Sequence, residues 1–99
     1  MALTSEFFEY VKEKYYVLNN ISFRKMMGEY LIYYNNVLIG GIYDNRLLIK
    51  KTITNLDYHF KEEIPYPSGK PMYYFEDIEN ADLLINIIIV TYKGIVKNK

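Results

Sequence analysis

The sequence predicts an α+β domain in which a helix near the start of the chain packs against an antiparallel sheet. Apolar residues from Phe7 to Leu18 recur at helical spacing. Short strand-like segments stand on both sides of the turn pairs Asn35-Asn36 and Asp44-Asn45, as in β-hairpins. Asn80 stands before a long apolar segment, as a helix cap does. The 99 residues suffice for one core, so we expect a single domain over residues 1–99.

The first helix is predicted over roughly residues 5–18. Thr4 or Ser5 can cap it, because a hydroxyl oxygen there accepts a hydrogen bond from a free amide of the first turn. Asn19-Asn20 follows the last apolar position, and asparagine tolerates the left-handed conformation found after helices. The apolar face consists of Phe7, Val11, Tyr15 and Leu18.

A meander of three to four antiparallel strands is predicted next, over residues 23–27, 30–34, 37–43 and 46–50. Met26 and Met27 are expected to fill space in the core, and Gly28 to permit a bend before the second strand. Gly40-Gly41 is unusual inside a strand, because glycine weakens a strand unless something packs closely over it. We expect the first or the last helix to cross there.

A short helix is predicted over residues 52–60, then a proline-rich loop over 64–71 and a short strand over 72–75. The closing segment leaves two interpretations open. Its β-branched run "IIIVTY" favours a strand, whereas the cap at Asn80, the length and the terminal lysines favour a helix. The apolar run is shorter than the roughly 20 residues of a membrane span, so we expect no membrane association.

The closing segment also predicts self-association. A terminal helix buries one apolar stripe in its own domain, yet residues 83–90 are apolar on nearly every face. We therefore expect a two-fold homodimer, formed through this helix with Ile85 and Ile89 at the interface, or through an exposed sheet edge. The alternative is that strands flank the helix on two sides and bury the whole segment.

The composition excludes several classes of protein. Twelve lysines and arginines balance twelve acids, which gives no overall attraction to nucleic acid or to an anionic membrane. The chain has no cysteine, which excludes a disulfide framework. The N-terminal residues lack the pattern of a secretory signal, so we expect a cytoplasmic protein.

No residue pattern predicts catalysis. His59 is the single histidine, so a zinc site would need carboxylates for nearly all its ligands. Adjacent acids at Glu62-Glu63 and Glu76-Asp77 are interpreted as solvated loop charges, because adjacency alone does not converge two carboxylates on one substrate atom. We expect a non-enzymatic protein with no catalytic residue, no metal and no cofactor.

Charge is segregated along the chain, since residues 24–51 hold five cations and two acids, and residues 57–82 hold seven acids and two lysines. The chain also has twelve tyrosines, some of them in the cationic region, and tyrosine beside cations can stack on bases. Ordinary solvated edge charges are the competing interpretation. The candidate surface residues are Arg24, Lys25, Arg46, Lys50 and Lys51.

The stretch "RKMMGEYLIYYNNVLIGGIYDNRLLIKK" resembles the N-terminal domain of the TfoX (Sxy) family. That family has an Arg-x-Met-Phe-Gly-Gly stretch, to which Arg24, Met26 and Gly28 correspond, with Met27 in place of phenylalanine and Glu29 in place of the second glycine. A family segment Gly-Lys-Pro-Met is matched by residues 69–72. The residues of that segment are Gly69, Lys70, Pro71 and Met72. Further matches are Arg46, Leu47 and Lys50 in the fourth predicted strand.

The resemblance implies a secretion-chaperone-like α+β fold with helices packed on a curved sheet, and a helix for the closing segment. It also implies relation to competence regulators that act on gene expression, here as a stand-alone N-terminal domain. The leading hypothesis is a regulatory or protein-interaction module with a protein partner. The alternative is a nucleic-acid-associated transcriptional co-regulator that uses the basic meander face.

Overall fold

The structure is a computed structural model that describes residues 5–15, 18–26 and 29–97. It confirms the α+β class. Helix α1 (Ser5–Lys14) is followed by strands β1 (Ile21–Met26), β2 (Glu29–Tyr34), β3 (Val37–Tyr43) and β4 (Arg46–Ile49). A 3-10 helix (Ile53–Tyr58), strands β5 (Glu62–Glu63) and β6 (Met72–Tyr74) and helix α2 (Ala81–Lys97) complete the order. The six strands form one sheet in the order β1-β2-β3-β4-β6-β5, and all its pairs are antiparallel.

Both predicted hairpin turns are confirmed. Asn35 and Asn36 have φ of 50° and 65°, and Asp44 and Asn45 have φ of 52° and 60°. Two successive residues with positive φ make the turn whose twist matches that of the flanking strands. Asparagine and aspartate tolerate this conformation better than other residues with side chains, so these local sequences determine where β3 begins and ends.

A β-bulge in β3 shapes the core. Ile32 pairs with Gly40 and Tyr33 with Leu38, so Ile39 is an extra residue in the ladder. Ile39 and Ile42, three positions apart, would point to opposite faces of a regular strand. Because the bulge resets the alternation, both are completely buried in the same core cluster.

The two helices pack on one face of the sheet, here called the inner face. Phe8 of α1 stacks on Tyr30 of β2 with the ring centroids 3.7 Å apart, and meets Phe23 of β1 edge-on at 5.4 Å. Tyr92 of α2 contacts Tyr34 edge-on at 5.2 Å. The largest completely buried side chains of this core are Tyr15, Ile32, Ile39, Ile42, Leu47, Ile49, Phe75, Leu84, Ile87, Ile88 and Val11.

The expectation that a helix crosses at Gly40-Gly41 stays a prediction, since α2 packs near β3, and the closest neighbours of the two glycines lie within the sheet. A Cβ on Gly40 would lie 2.3 Å from the carbonyl oxygen of Leu48 in β4. A Cβ on Gly41 would lie 2.7 Å from the carbonyl oxygen of Tyr30 and 2.8 Å from the ring of Tyr43. Neighbouring strands and a tyrosine ring, rather than a helix, therefore impose glycine at these positions.

Several predicted boundaries change. Helix α1 ends at Lys14, earlier than the predicted Leu18, and the short helix is the 3-10 helix Ile53–Tyr58. Glu62-Glu63 is an edge strand paired with Met72 and Tyr73, which corrects its interpretation as loop charges. Thr4, Met27 and Gly28, three positions to which the predictions assign roles, lie outside the described residues.

The closing segment is a helix, as the cap predicted. The amide of Leu83 donates to the side-chain oxygen of Asn80 at 3.2 Å. Side-chain hydrogen bonds from the 3-10 helix hold this helix, since Thr54 donates to the carbonyl of Val90 at 2.6 Å and Asn55 to Thr91 at 2.9 Å. In the described part of the chain, no helix combines the length and the apolar character needed to cross a membrane.

Candidate functional site

The sheet has a second face that bears side chains on the side away from both helices, here called the outer face. Strand register places Leu31, Gly41, Leu48 and Tyr74 in one row across it, next to the row of inner-face residues. Leu48 is completely buried although it points away from the main core, and Tyr43 is 8% exposed. Something other than a helix must therefore cover the centre of the outer face.

That cover is the segment of residues 64–71, here called the strap. Arg46 holds its beginning, because the guanidinium donates to the carbonyls of Ile64 at 3.3 Å and Pro65 at 3.4 Å. The ring of Tyr66 lies 6.3 Å from that of Tyr43. The sequence favours this compact course, since prolines restrict the backbone and the amide of Gly69 closes a turn on the carbonyl of Tyr66 at 2.8 Å.

The pair of Arg46 and Glu63 fixes the strap to the sheet. Nη1 of Arg46 lies 2.8 Å from Oε1 of Glu63, and both side chains are about three-quarters shielded from solvent, with 23% and 26% exposed. The hydrogen bond from Arg46 lowers the pKa of Glu63 below its ordinary value, and Lys61 nearby acts in the same direction. Arg46 is thus a structural residue in this fold, rather than the free surface cation that the sequence suggested.

A groove of about 670 Å³ lies between the strap, strand β3, the two residues that follow β4 and the first residue of β6. Its floor is apolar and comes from Leu38, Tyr43 and Met72, which are buried or half-buried. Its cationic rim comes from Lys50, Lys51 and Lys70, all exposed. The remaining lining residues are Gly40, Pro65, Tyr66, Ser68, Gly69 and Pro71.

The three rim lysines differ in their partners. Nζ of Lys51 lies 3.1 Å from Oε2 of Glu62 and 5.6 Å from the ring centroid of Tyr73. Lys50 and Lys70 form no ion pair with any residue that the structure describes. Among the described residues, the rim therefore presents two ammonium groups without an ion-pair partner, whereas Lys51 pairs with Glu62 on the face that carries Tyr73.

Two hydrogen bonds fix the backbone at Lys50. Its amide donates to the carbonyl of Ile39 in β3 at 2.9 Å. Its carbonyl accepts from the side-chain amide of Asn55 at 2.9 Å, and the same amide nitrogen donates to Thr91 of α2. Because Asn55 and Thr91 are completely buried, the position from which the Lys50 side chain leaves the sheet is well defined.

The groove unites some of the residues that the sequence predicted for a site and leaves others apart. It brings Lys50 and Lys51 of the basic stretch next to Gly69, Lys70, Pro71 and Met72 of the TfoX-like segment. Arg24 and Lys25 lie on β1, at the opposite edge of the sheet from β5. Arg24 approaches the ring of Tyr33, 6.0 Å from its centroid, and Lys25 points to the other face of the strand.

Met26 contradicts its predicted place in the core. It lies at the end of the edge strand β1 with 46% of its surface exposed. An edge strand has a partner on one side only, so its end residues keep contact with solvent.

Sequence reasoning missed Leu38, Tyr43 and Tyr66 as groove residues. A proline- and glycine-rich segment bearing Tyr66 and Lys70 was visible, but its docking partner lies about twenty residues earlier in the chain.

Burial and the neighbouring Tyr66, Glu29 and Tyr33 raise the pKa of Tyr43, so its phenol stays protonated at neutral pH.

In the described residues, no three histidine, aspartate or glutamate side chains stand close enough to share a metal ion. His59 ends the 3-10 helix in a left-handed conformation with φ of 55° and is exposed. The groove itself presents ammonium groups beside apolar and aromatic surface.

Comparison with known proteins adds a relative of unassigned activity. No family model matches the chain. An uncharacterized 12.7 kDa protein in the trpE 5′ region of Spirochaeta aurantia is 33% identical over 70 residues, which are 68% of this chain and 61% of that protein. The chain therefore spans about three-fifths of the length of that relative.

Proposed function

We propose that this protein is a non-enzymatic interaction module whose groove binds a segment of another protein. The observation that carries the proposal is the groove on the outer face, where an apolar floor lies beside Lys50 and Lys70, two cations without an ion-pair partner in the described part of the chain. Surfaces that combine a small apolar area with a polar rim are typical of protein recognition sites.

The distribution of cations favours a protein partner over nucleic acid. Nucleic-acid binding needs several cations that follow the phosphate backbone. Arg46 is occupied by Glu63 and the strap, Lys51 by Glu62, and Arg24 and Lys25 lie at the far edge of the sheet. Two free lysines beside an apolar floor suit the mixed side chains of a peptide better.

A regulatory role in the cytoplasm is part of this proposal. Its support is the resemblance of residues 24–51 and 69–72 to the N-terminal domain of TfoX-like competence regulators. The groove gives that role a physical form, since residues 69–72 of the resemblance lie along its lining. The partner would then be a protein whose activity or location changes when it is bound.

Photo-crosslinking in the native cell tests the proposal. The photoreactive residue p-benzoylphenylalanine replaces Tyr66, which lines the groove and is 53% exposed. The control position is Ile53, which is 75% exposed and lies on the 3-10 helix, outside the groove. We expect discrete adducts at position 66 that protease removes and nuclease does not, and no such adducts at position 53. The absence of adducts at position 66, or equal adducts at both positions, would refute the proposal.

The alternative is a nucleic-acid-associated co-regulator, for which three rim lysines beside Tyr66 are the favouring observation. A mobility shift with duplex DNA tests it. Under that alternative, Lys50→Glu combined with Lys51→Glu abolishes a salt-sensitive shift, whereas Lys93→Glu on α2 leaves it intact. Under the protein-partner proposal, the unmodified protein gives no shift at physiological salt.

A further inference from the structure

We infer that the groove selects acidic peptide segments in which carboxylates flank a large apolar side chain. This inference rests on the proposed function and adds the chemistry of the partner. Three observations support it: the positive charge of Lys50 and Lys70, the apolar floor of the groove, and the ion pair that Lys51 forms with Glu62.

The rim is built for carboxylates. Lys50 and Lys70 stand on opposite structural elements, one directly after β4 and the other in the strap, and both are exposed without an ion-pair partner among the described residues. Lys51 pairs with Glu62 at 3.1 Å on the face of the sheet that carries Tyr73, opposite to Met72. A peptide that places one carboxylate at each free lysine would form the kind of ion pair that Lys51 forms within this chain.

The floor accommodates one large apolar side chain. Leu38 and Met72 are half-buried, so each keeps apolar surface open towards the groove. The unbranched side chain of methionine adapts its shape to different partners. The buried ring of Tyr43 lies beside them. Burial of an apolar residue there removes this surface from water, while the rim keeps the flanking carboxylates partly solvated.

A second copy of this chain does not fit the description, although its segment of residues 76–82 is acidic. Glu76, Asp77 and Glu79 of that segment are exposed, but its large apolar residue, Ile78, is 8% exposed and belongs to the main core. Inserting Ile78 into a neighbour's groove would require local unfolding. The occupant is therefore a segment of a different protein.

A displayed library of random peptides tests the inference directly. Peptides of about ten residues are long enough in extended form to cross this domain. The wild-type protein serves as bait, and the Lys50→Glu, Lys70→Glu double variant serves for counter-selection. We expect enriched sequences with two or more acids around a Leu, Ile, Phe or Met residue.

Fluorescence anisotropy on one enriched peptide completes the test. We expect the double variant to bind it at least about tenfold more weakly, and added salt to weaken the wild-type complex. Lys93→Glu, an exposed change on α2 outside the groove, should leave the affinity within about twofold. Circular dichroism verifies that each variant is folded.

The other outcomes separate this inference from the proposed function. Enriched peptides without acids, or peptides whose affinity survives charge reversal at Lys50 and Lys70, would overturn the acidic preference and leave a protein-binding groove. Tighter binding of single-stranded oligo-dT than of any selected peptide, lost in the double variant, would overturn both in favour of nucleic acid. Failure to enrich any peptide overturns the inference, and the crosslinking at position 66 then decides the proposed function independently.

Discussion

The side-chain amide of Asn55 donates a hydrogen bond to the hydroxyl of Thr91 at 2.9 Å, and both residues are completely buried. The same amide also reaches the carbonyl of Lys50, and the Asn55 side-chain oxygen accepts from the amide of Thr52 at 2.9 Å. One asparagine thus joins the end of β4, the 3-10 helix and α2. Buried polar groups cost free energy unless they are paired, and here three groups depend on Asn55.

Asn55→Ala should therefore lower the free energy of unfolding by about 2–3 kcal/mol, because it leaves buried polar partners unpaired. Urea denaturation followed by circular dichroism measures the change. Asp57→Ala, an exposed change on the same 3-10 helix, is the control and should stay within about 0.5 kcal/mol of the wild type. Equal stability of the two variants would show that the network contributes nothing.

Tyr15 offers the opposite case, a buried polar atom without a partner. Its hydroxyl finds no hydrogen-bond partner among the described residues, and burial raises its pKa well above the ordinary value. Tyr15→Phe should raise the free energy of unfolding by about 1 kcal/mol, because it removes the unpaired hydroxyl and keeps the ring. Tyr10→Phe is the matched control, since the Tyr10 hydroxyl donates to Glu79. A thermal melt in which Tyr15→Phe is the less stable of the two would contradict the prediction.

Gly40 and Gly69 should differ in their tolerance of alanine. A Cβ on Gly40 meets a backbone carbonyl at 2.3 Å, whereas a Cβ on Gly69 meets the side chains of Pro65 and Tyr66 at 3.0 Å. Backbone atoms of paired strands cannot move aside as side chains can. We expect Gly40→Ala to cost at least about 2 kcal/mol of unfolding free energy and Gly69→Ala less than about 1 kcal/mol. Chemical denaturation decides the order, and a reversed order would refute the packing argument.

The ion pair of Arg46 and Glu63 predicts a pH dependence of stability. Since the pKa of Glu63 is lower in the folded protein than in the unfolded chain, its stabilising contribution is complete above the ordinary glutamate pKa. It is lost as the pH falls below about 4.5 and through the lowered folded-state pKa.

Thermal melts at a series of pH values from neutral to about pH 3 test this dependence. Glu63→Gln should melt lower than the wild type at neutral pH, and the difference should shrink as the pH falls. Glu62→Gln removes the carboxylate that pairs with Lys51, which is more exposed than that of Glu63. Its melting temperature should therefore differ less from that of the wild type at neutral pH. Parallel curves for the wild type and Glu63→Gln would exclude the proposed role of this carboxylate.

Self-association through α2 stays a prediction that the structure makes more specific. Ile85 and Ile89 are neither fully buried nor fully exposed, and neither belongs to the core cluster or to the side chains packed against it. Light scattering at micromolar concentration should give the mass of two chains. Ile89→Lys should return the mass to that of one chain with the fold intact, and Lys93→Glu should not. A single-chain mass for the wild type would end the dimer hypothesis.

The sequence by itself determined the features that depend on neighbouring residues. Asn35-Asn36 and Asp44-Asn45 determined the two hairpin turns because these residues tolerate positive φ. Asn80 determined the start of α2 because its side-chain oxygen caps the amide of Leu83, three residues later. The order of elements and the α+β class follow from such local signals. The strand Glu62–Glu63 was missed because it has no local signal in the sequence. Its two charged residues form a strand only by pairing with β6.

The tertiary structure alone decided the candidate site, because its contacts join residues that are distant in the chain. Arg46 was chosen from sequence as a free cation, yet Glu63, seventeen residues later, holds it as an anchor of the strap. Lys50 and Lys70 became two sides of one groove only when the strap folded back across β4. Such pairings depend on cooperative burial, in which Pro65 of the strap is buried together with Tyr43 and Leu48 of the sheet, and no local pattern of residues predicts it.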